Sequence, residues 1–233
     1  MSRKFTSLLL SSLSLAALAA QAQTTFSIGP LASLNVVGAS NTATSTTTNT
    51  STTIIYRLGF EAGLQSILQF GHLAVQPSLR FSQKGFHRHY GYDLYSSYTD
   101  YRLNYLTLPL NVAYSLRTDG QGFQVFAGPY VALLLGGNYQ LTTDERGPFG
   151  SIDSSEGHIK PGKFDPYASL YSTSNDRYCR RFDAGVQAGL GYCYNKFLVQ
   201  ADFAFGLSDL ALLSSSARNR TVQASLSHQI GDL

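Results

Sequence analysis

The sequence predicts an all-β protein: an antiparallel, up-and-down transmembrane β-barrel of eight strands, preceded by a signal peptide. Three observations carry that expectation. An export signal opens the chain, apolar and polar residues then alternate with period 2, and the links between the alternating segments are by turns short and long.

The first residues, Met1, Ser2, Arg3 and Lys4, are followed by an apolar and small-residue run to Ala20 and then by Gln21 and Ala22. This is a charged segment, a short apolar segment and an A-x-A processing site, so residues 1–22 are expected to be removed and 23–233 to form the barrel domain. The apolar run is too short to span a bilayer comfortably. No cysteine lies near the site, which excludes lipid attachment there. Losing Arg3 and Lys4 leaves 15 of the 17 basic residues against 14 acidic ones, a net charge near +1, and nothing suggests a nucleic-acid partner. Only 13% of residues are charged, while Gly (21) and Tyr (15) are abundant. That composition suits an outer surface that meets lipid. No further apolar run of roughly 18 residues exists, so any membrane crossing must be made by strands.

The first strand is placed at 26–37, to complete a set of eight. In the second, 54–65, Ile54, Tyr56, Leu58, Phe60, Ala62 and Leu64 alternate with Arg57, Gly59, Glu61, Gly63 and Gln65. The third, 73–85, sets Leu73, Val75, Pro77, Leu79 and Phe81 against Ala74, Gln76, Ser78, Arg80, Ser82 and Lys84. The fourth and fifth, 103–116 and 123–136, alternate less cleanly, above all in Val131-Ala132-Leu133-Leu134-Leu135. The sixth, 182–194, is the clearest, with Phe182, Ala184, Val186, Ala188, Leu190, Tyr192 and Tyr194 against Asp183, Gly185, Gln187, Gly189, Gly191 and Cys193. The seventh, 197–206, and the eighth, 222–230, repeat the pattern. Links are short at 69–72, 117–122 and 195–196, and long at 38–53, 86–102, 138–180 and 208–219. This alternation places the long links outside the cell and both chain ends in the periplasm.

The stretches Leu73-Ala-Val-Gln-Pro-Ser-Leu-Arg-Phe-Ser-Gln-Lys-Gly-Phe86, Tyr105-Leu-Thr-Leu-Pro-Leu110, Phe126-Ala-Gly-Pro-Tyr130, and Asp183-Ala-Gly with Gly189-Leu-Gly resemble the PorT-like family of small outer-membrane barrels, often labelled porin family. The resemblance spans essentially the whole mature chain. It implies an eight-stranded barrel in the outer membrane, inserted by the outer-membrane assembly machinery, with no established catalytic residues. Such barrels commonly end on an aromatic residue that the machinery reads, whereas this chain ends Gln229-Ile230-Gly231-Asp232-Leu233.

The inward-facing charges Arg57, Glu61, Arg80, Lys84, Asp183 and Asp202 are the candidate lumen network. If Leu68 faces Leu73 across the first short turn, Glu61 lies opposite Arg80 and Arg57 opposite Lys84, and a carboxylate facing a guanidinium can form a bidentate pair. Eight strands leave an interior just wide enough for side chains, so the leading reading is a filled lumen and the second a narrow ion path. Tyr90, Tyr92, Tyr95 and Tyr98, followed by Tyr101 and Tyr105, can stack on sugars or a surface partner, although an interfacial aromatic girdle is the plainer reading. His87 and His89, with a carboxylate such as Asp93, lack a fixed third metal ligand and read as exposed loop histidines. No metal or other cofactor is expected. The chain has no phosphate-binding glycine loop, serine elbow or zinc helix, and no serine and acid can be assigned to His228, so no enzyme is expected. Cys179 and Cys193 bracket a predicted strand about 46 Å long, too far apart for a disulfide.

The function expected is a non-enzymatic structural or surface-interaction barrel. Its partners are expected to be outer-membrane lipid and an extracellular or envelope protein. A transport or secretion-associated pore is the alternative. A soluble barrel of lipocalin type, with apolar residues inside, is the third possibility.

Overall fold

The computed structural model describes residues 24–41, 50–92, 94–146, 150–162, 175–208 and 217–231. The expected signal peptide, Asp93 and most of the Ser/Thr/Asn tract in the first long link lie outside them. In chain order the strands are β1 (Thr24–Asn41), β2 (Thr50–Phe70), β3 (Leu73–Tyr92), β4 (Tyr95–Ser115), β5 (Gly122–Glu145), β6 (Ile152–Pro161), β7 (Arg177–Cys179), β8 (Phe182–Tyr194), β9 (Phe197–Gly206), β10 (Ala217–His228) and β11 (Ile230–Gly231). Neighbours from β1 to β5 pair antiparallel in sequence order, β5 then pairs with β8, and β8, β9 and β10 lead back to β1. Eight strands thus close into a ring, so the barrel wall itself has no open edge, the condition for a sheet to exist in hydrocarbon.

The faces are sorted as period 2 requires. On β3, Leu73, Leu79 and Phe81 are exposed, while Ala74, Gln76, Ser78, Arg80, Ser82 and Lys84 are buried. On β10, Val222, Leu226 and Ile230 just beyond it are exposed, and Thr221, Gln223, Ser225 and Ser227 are buried. Polar residues fill the inside and apolar residues coat the outside. That is the inverse of a soluble lipocalin-type barrel, and it overturns that reading. Fully burying a Leu or Phe stabilises by about 1.5–3 kcal/mol, so leaving 37 large hydrophobic side chains exposed among the described residues is tolerable only if lipid covers them. Phe123 with Tyr192, Phe197 with His228, and His72 with Tyr114 pack ring to ring, at 4.8, 4.7 and 5.6 Å, near the short-turn end. They form the aromatic girdle at that boundary.

The first short turn is tighter than expected. Gly71 adopts φ 59°, so Gly71 and His72 alone reverse the chain and Phe70 pairs with Leu73. The register therefore differs by two residues from the sequence expectation: Glu61 pairs with Ser82, and Gly63 with Arg80. A shift of two keeps every side chain on its expected face. Between Tyr56 and Glu61 the register shifts back by one residue, and above this irregularity Ile54, expected outside, packs against the interior cluster.

The strands are also longer than expected. β2 to β5 run 21, 20, 21 and 24 residues. At about 3.3 Å per residue and a tilt near 40°, each rises roughly 50 Å, about twice the apolar band of such barrels. β8, β9 and β10, with 13, 10 and 12 residues, rise far less. The expected long link at 86–102 is therefore mostly strand, the upper halves of β3 and β4 paired as far as Tyr92 with Tyr95. In the expected link 138–180, β5 continues to Glu145, β6 pairs antiparallel with its upper half, and β7 adds parallel to β6. The wall is lopsided, with a sheet standing above one side of the ring.

Candidate functional site

The lumen is layered from the short-turn end upward. Buried Gln69 and Ser115 lie lowest, beside the turns, and just above them lies an apolar cluster of Ile67, Ala74, Ala113, Phe126, Cys193 and Leu198. Above it a chain of amides crosses the barrel. Gln65 Nε2 donates to Gln200 Oε1 at 3.0 Å, Gln200 Nε2 to Gln76 Oε1 at 3.0 Å, and Gln76 Nε2 to Gln124 Oε1 at 2.8 Å. Four side chains from β2, β9, β3 and β5 thus form a hydrogen-bonded bar, all at most 4% exposed. Beside it Gln187 Nε2 donates to Asn111 Oδ1 at 3.0 Å. An amide is both donor and acceptor, which is why a glutamine row can cross a narrow interior, with Gln65 Oε1 at its end and Asn111 Nδ2 beside it left without a hydrogen-bond partner.

The charges come next. Arg80 Nη1 lies 3.4 Å from Glu61 Oε2, and Arg80 Nε donates to Ser78 Oγ at 2.9 Å. The contact is diagonal and single rather than the bidentate pair expected from the sequence, because the tighter turn moves Arg80 two residues along. Gln223 Nε2 donates to Asp202 Oδ1 at 2.9 Å. Asp183 Oδ2 accepts from Asn219 Nδ2 at 2.7 Å and from the Tyr130 hydroxyl at 3.5 Å. Lys84 is 3% exposed, with Nζ 5.0 Å from the centre of the Tyr130 ring and 5.9 Å from that of Tyr105.

Arg57 does not belong to this set. At the β2 irregularity it passes over Gly85, where a Cβ would sit 3.3 Å from its Cδ, and its Nε reaches Asp100 Oδ1 on β4 at 3.0 Å. Asp100 also meets His87 Nδ1 at 3.2 Å and Arg102 Nε at 3.2 Å. It alternates with buried Thr99 and Tyr101, so this ion cluster lies on the outer face. Sequence reasoning missed Asp100 because its partners come from two other strands. His87 thus has a carboxylate partner, and His89 is exposed. Among the described residues no group of His, Cys, Asp and Glu could hold a metal.

The top of the lumen is apolar, which the sequence reading also missed. Phe86, Tyr101, Leu103, Tyr105, Tyr130, Leu134, Tyr139, Ile159 and Cys179 form one cluster. Arg177 from β7 covers it, with its guanidinium carbon 4.0 Å from the Tyr139 ring centre and a hydrogen bond to the Tyr101 hydroxyl. The signal was Leu103 and Tyr105 in phase with polar Thr107 and Asn111, apolar residues on the inward face of β4. Of the candidate tyrosines, Tyr90 packs edge-on to Tyr95 at 6.4 Å and Tyr98 stacks on His87 at 5.4 Å, near the tip of the β3–β4 hairpin. Tyr92 is the last residue of β3. Burial, with the Asp100 carboxylate adding, raises the Tyr98 phenol above its ordinary value. Cys179 and Cys193 sit in the upper and lower clusters and form no disulfide.

No curated protein matches the sequence. Solved structures with similar folds include Ail, the attachment invasion locus protein of Yersinia pestis (11% identity, TM-score 0.42, 88% of this chain and 99% of that one). OprG of Pseudomonas aeruginosa is 12% identical, with TM-score 0.39 and coverage of 90% and 95%. Neisserial surface protein A is 11% identical, with TM-score 0.39 and coverage of 87% and 97%. The family model for the outer membrane protein beta-barrel domain matches residues 20–212. With a closed ring of strands, an apolar outside and a polar inside, the chain belongs to that family and is a β-barrel protein of the outer membrane.

Proposed function

We propose that this protein is a non-enzymatic surface barrel, with a lumen that passes no solute and a working surface on the sheet raised beyond the lipid belt. The observation that carries the reading is the bar from Gln65 through Gln200 and Gln76 to Gln124, which spans the interior between two apolar clusters. A solute crossing the lumen meets a closed row of hydrogen bonds with apolar packing toward either end. Within the family, the motifs at 73–86, 105–110, 126–130 and 183–191 favour a PorT-like barrel. Its partners on this reading are the assembly machinery that inserts it, the surrounding lipid, and an extracellular or envelope protein that meets the upper sheet. Proteoliposomes carrying the purified protein test the closed lumen: no swelling is expected in small sugars or amino acids. Swelling at the rate of a general porin would establish the transport alternative.

A further inference from the structure

On the outer face of the upper sheet, strand register assembles a grid of six polar side chains. Asp100 on β4 pairs with Gln140 on β5, which pairs with Glu156 on β6. One step nearer the membrane, Arg102 pairs with Asn138, and Asn138 with His158. These residues alternate with buried Tyr101, Tyr139 and Ile159, so they share the outward face. Strands about 4.8 Å apart and alternate residues about 6.8 Å apart give the grid a footprint of roughly 10 by 7 Å. Over it lies a cleft of about 560 Å³.

A second cleft of about 390 Å³ shares Asn138 and His158 with the first and continues downward along Phe81, Leu135 and the backbone of Gly136 and Gly137. The recess forms where the β4–β5 register shifts between Asn104 and Tyr105, and Gly136 there has φ 149°. A Cβ on Gly137 would lie 2.2 Å from the Arg102 carbonyl oxygen, so only glycine permits this close approach. Phe81 and Leu135 are exposed and belong to the lipid-facing coat. One groove therefore runs from the hydrocarbon boundary up to a field of carboxylates, amides, a guanidinium and an imidazole.

We infer that this groove holds an outer-leaflet glycolipid, with sugar hydroxyls on the polar grid and acyl chain against Phe81 and Leu135. Neighbouring carboxylates and amides accept from and donate to vicinal hydroxyls, which favours a sugar. A bare phosphate is disfavoured, since Asp100 already engages Arg57 and Arg102, and Glu156 adds another negative charge. The lower half continues the lipid-facing surface, which selects a sugar carrying a chain over a free one. A protein partner would have to displace headgroups at that boundary. The inference rests on the upper sheet being the working surface. Its test is lipid retention, which can fail whether or not the lumen conducts.

The full chain, purified in a detergent without a sugar headgroup, is mixed with rough-type lipopolysaccharide and read by native mass spectrometry. One glycolipid retained per barrel is expected. Asn138→Leu with Gln140→Leu should lower its affinity at least about tenfold, the scale of one lost net hydrogen bond, and His158→Ala should lower it less. A heat-modifiable gel shift like that of the wild type shows that each variant is folded. Unchanged retention in both variants overturns the inference. So does equal retention of phosphatidylethanolamine, which lacks the sugar, or competition by delipidated core oligosaccharide as effective as by the glycolipid. Displacement of the glycolipid by an outer-membrane protein that then occupies the groove overturns it too.

Discussion

Arg80 and Glu61 are 2% and 3% exposed, so each is the other's principal charge compensation. Replacing one member of a buried pair leaves the other uncompensated, at a cost on the order of 3–5 kcal/mol in a dry interior and less where lumen water reaches it. Arg80→Ala is therefore expected to lower the temperature at which the heat-modifiable gel shift is lost. Glu61→Ala together with Arg80→Ala should cost less than the two single losses added, because the second change removes the charge that the first one strands. Strictly additive losses would show that the pair does not act as a unit. Arg177→Ala removes a cation packed on the Tyr139 and Tyr101 rings and should cost about 1 kcal/mol, read in the same assay. Glu61, Arg80, Lys84, Asp183 and Asp202 were legible as lumen charges from period 2, and so was the contact of Glu61 with Arg80, while the polar partners of the two aspartates were not. Asn219 and Gln223, both on β10, meet Asp183 and Asp202, and strand register rather than any spacing in the sequence brings them into reach.

Strands that cross lipid were legible because hydrocarbon forces one face to be apolar, as 73–85 and 182–194 show. Above the boundary water wets the outer face and that constraint ends. Residues 86–92, 95–102, 138–145 and 152–161 still pair as strands, held by Tyr and Thr side chains that fit a pleated surface, but they lack the alternation that marks the segments below them. They therefore read as links. The run Val131-Ala132-Leu133-Leu134-Leu135 looked irregular for another reason. Leu134 faces the apolar upper cluster, and Leu135 lies at the register shift. Orientation follows from the three short turns lying at one end. Trypsin added to intact cells is expected to cut between Glu145 and Arg181 and to spare Arg117, whose link lies with the periplasmic turns. Cleavage at Arg117 alone would invert the topology. Mass spectrometry of the unreduced protein should find no bridge between Cys179 and Cys193, since they occupy opposite ends of the lumen.

The whole molecule is a barrel turned inside out relative to a soluble one, and its interior is built to be full. An apolar cluster lies toward each end, and between the two a glutamine bar and a set of charges occupy the cross-section. Ring size and polarity followed from the sequence, while the closing of the lumen follows from side chains that meet only in three dimensions. Gln76→Ala with Gln200→Ala removes the two central members of the bar and should admit water, appearing as brief conductance events. The single-channel conductance of the purified wild-type protein in planar bilayers tests the closed lumen most directly. A flat baseline with at most rare, brief openings is the expected record, and a large steady conductance in the unmodified protein would contradict it.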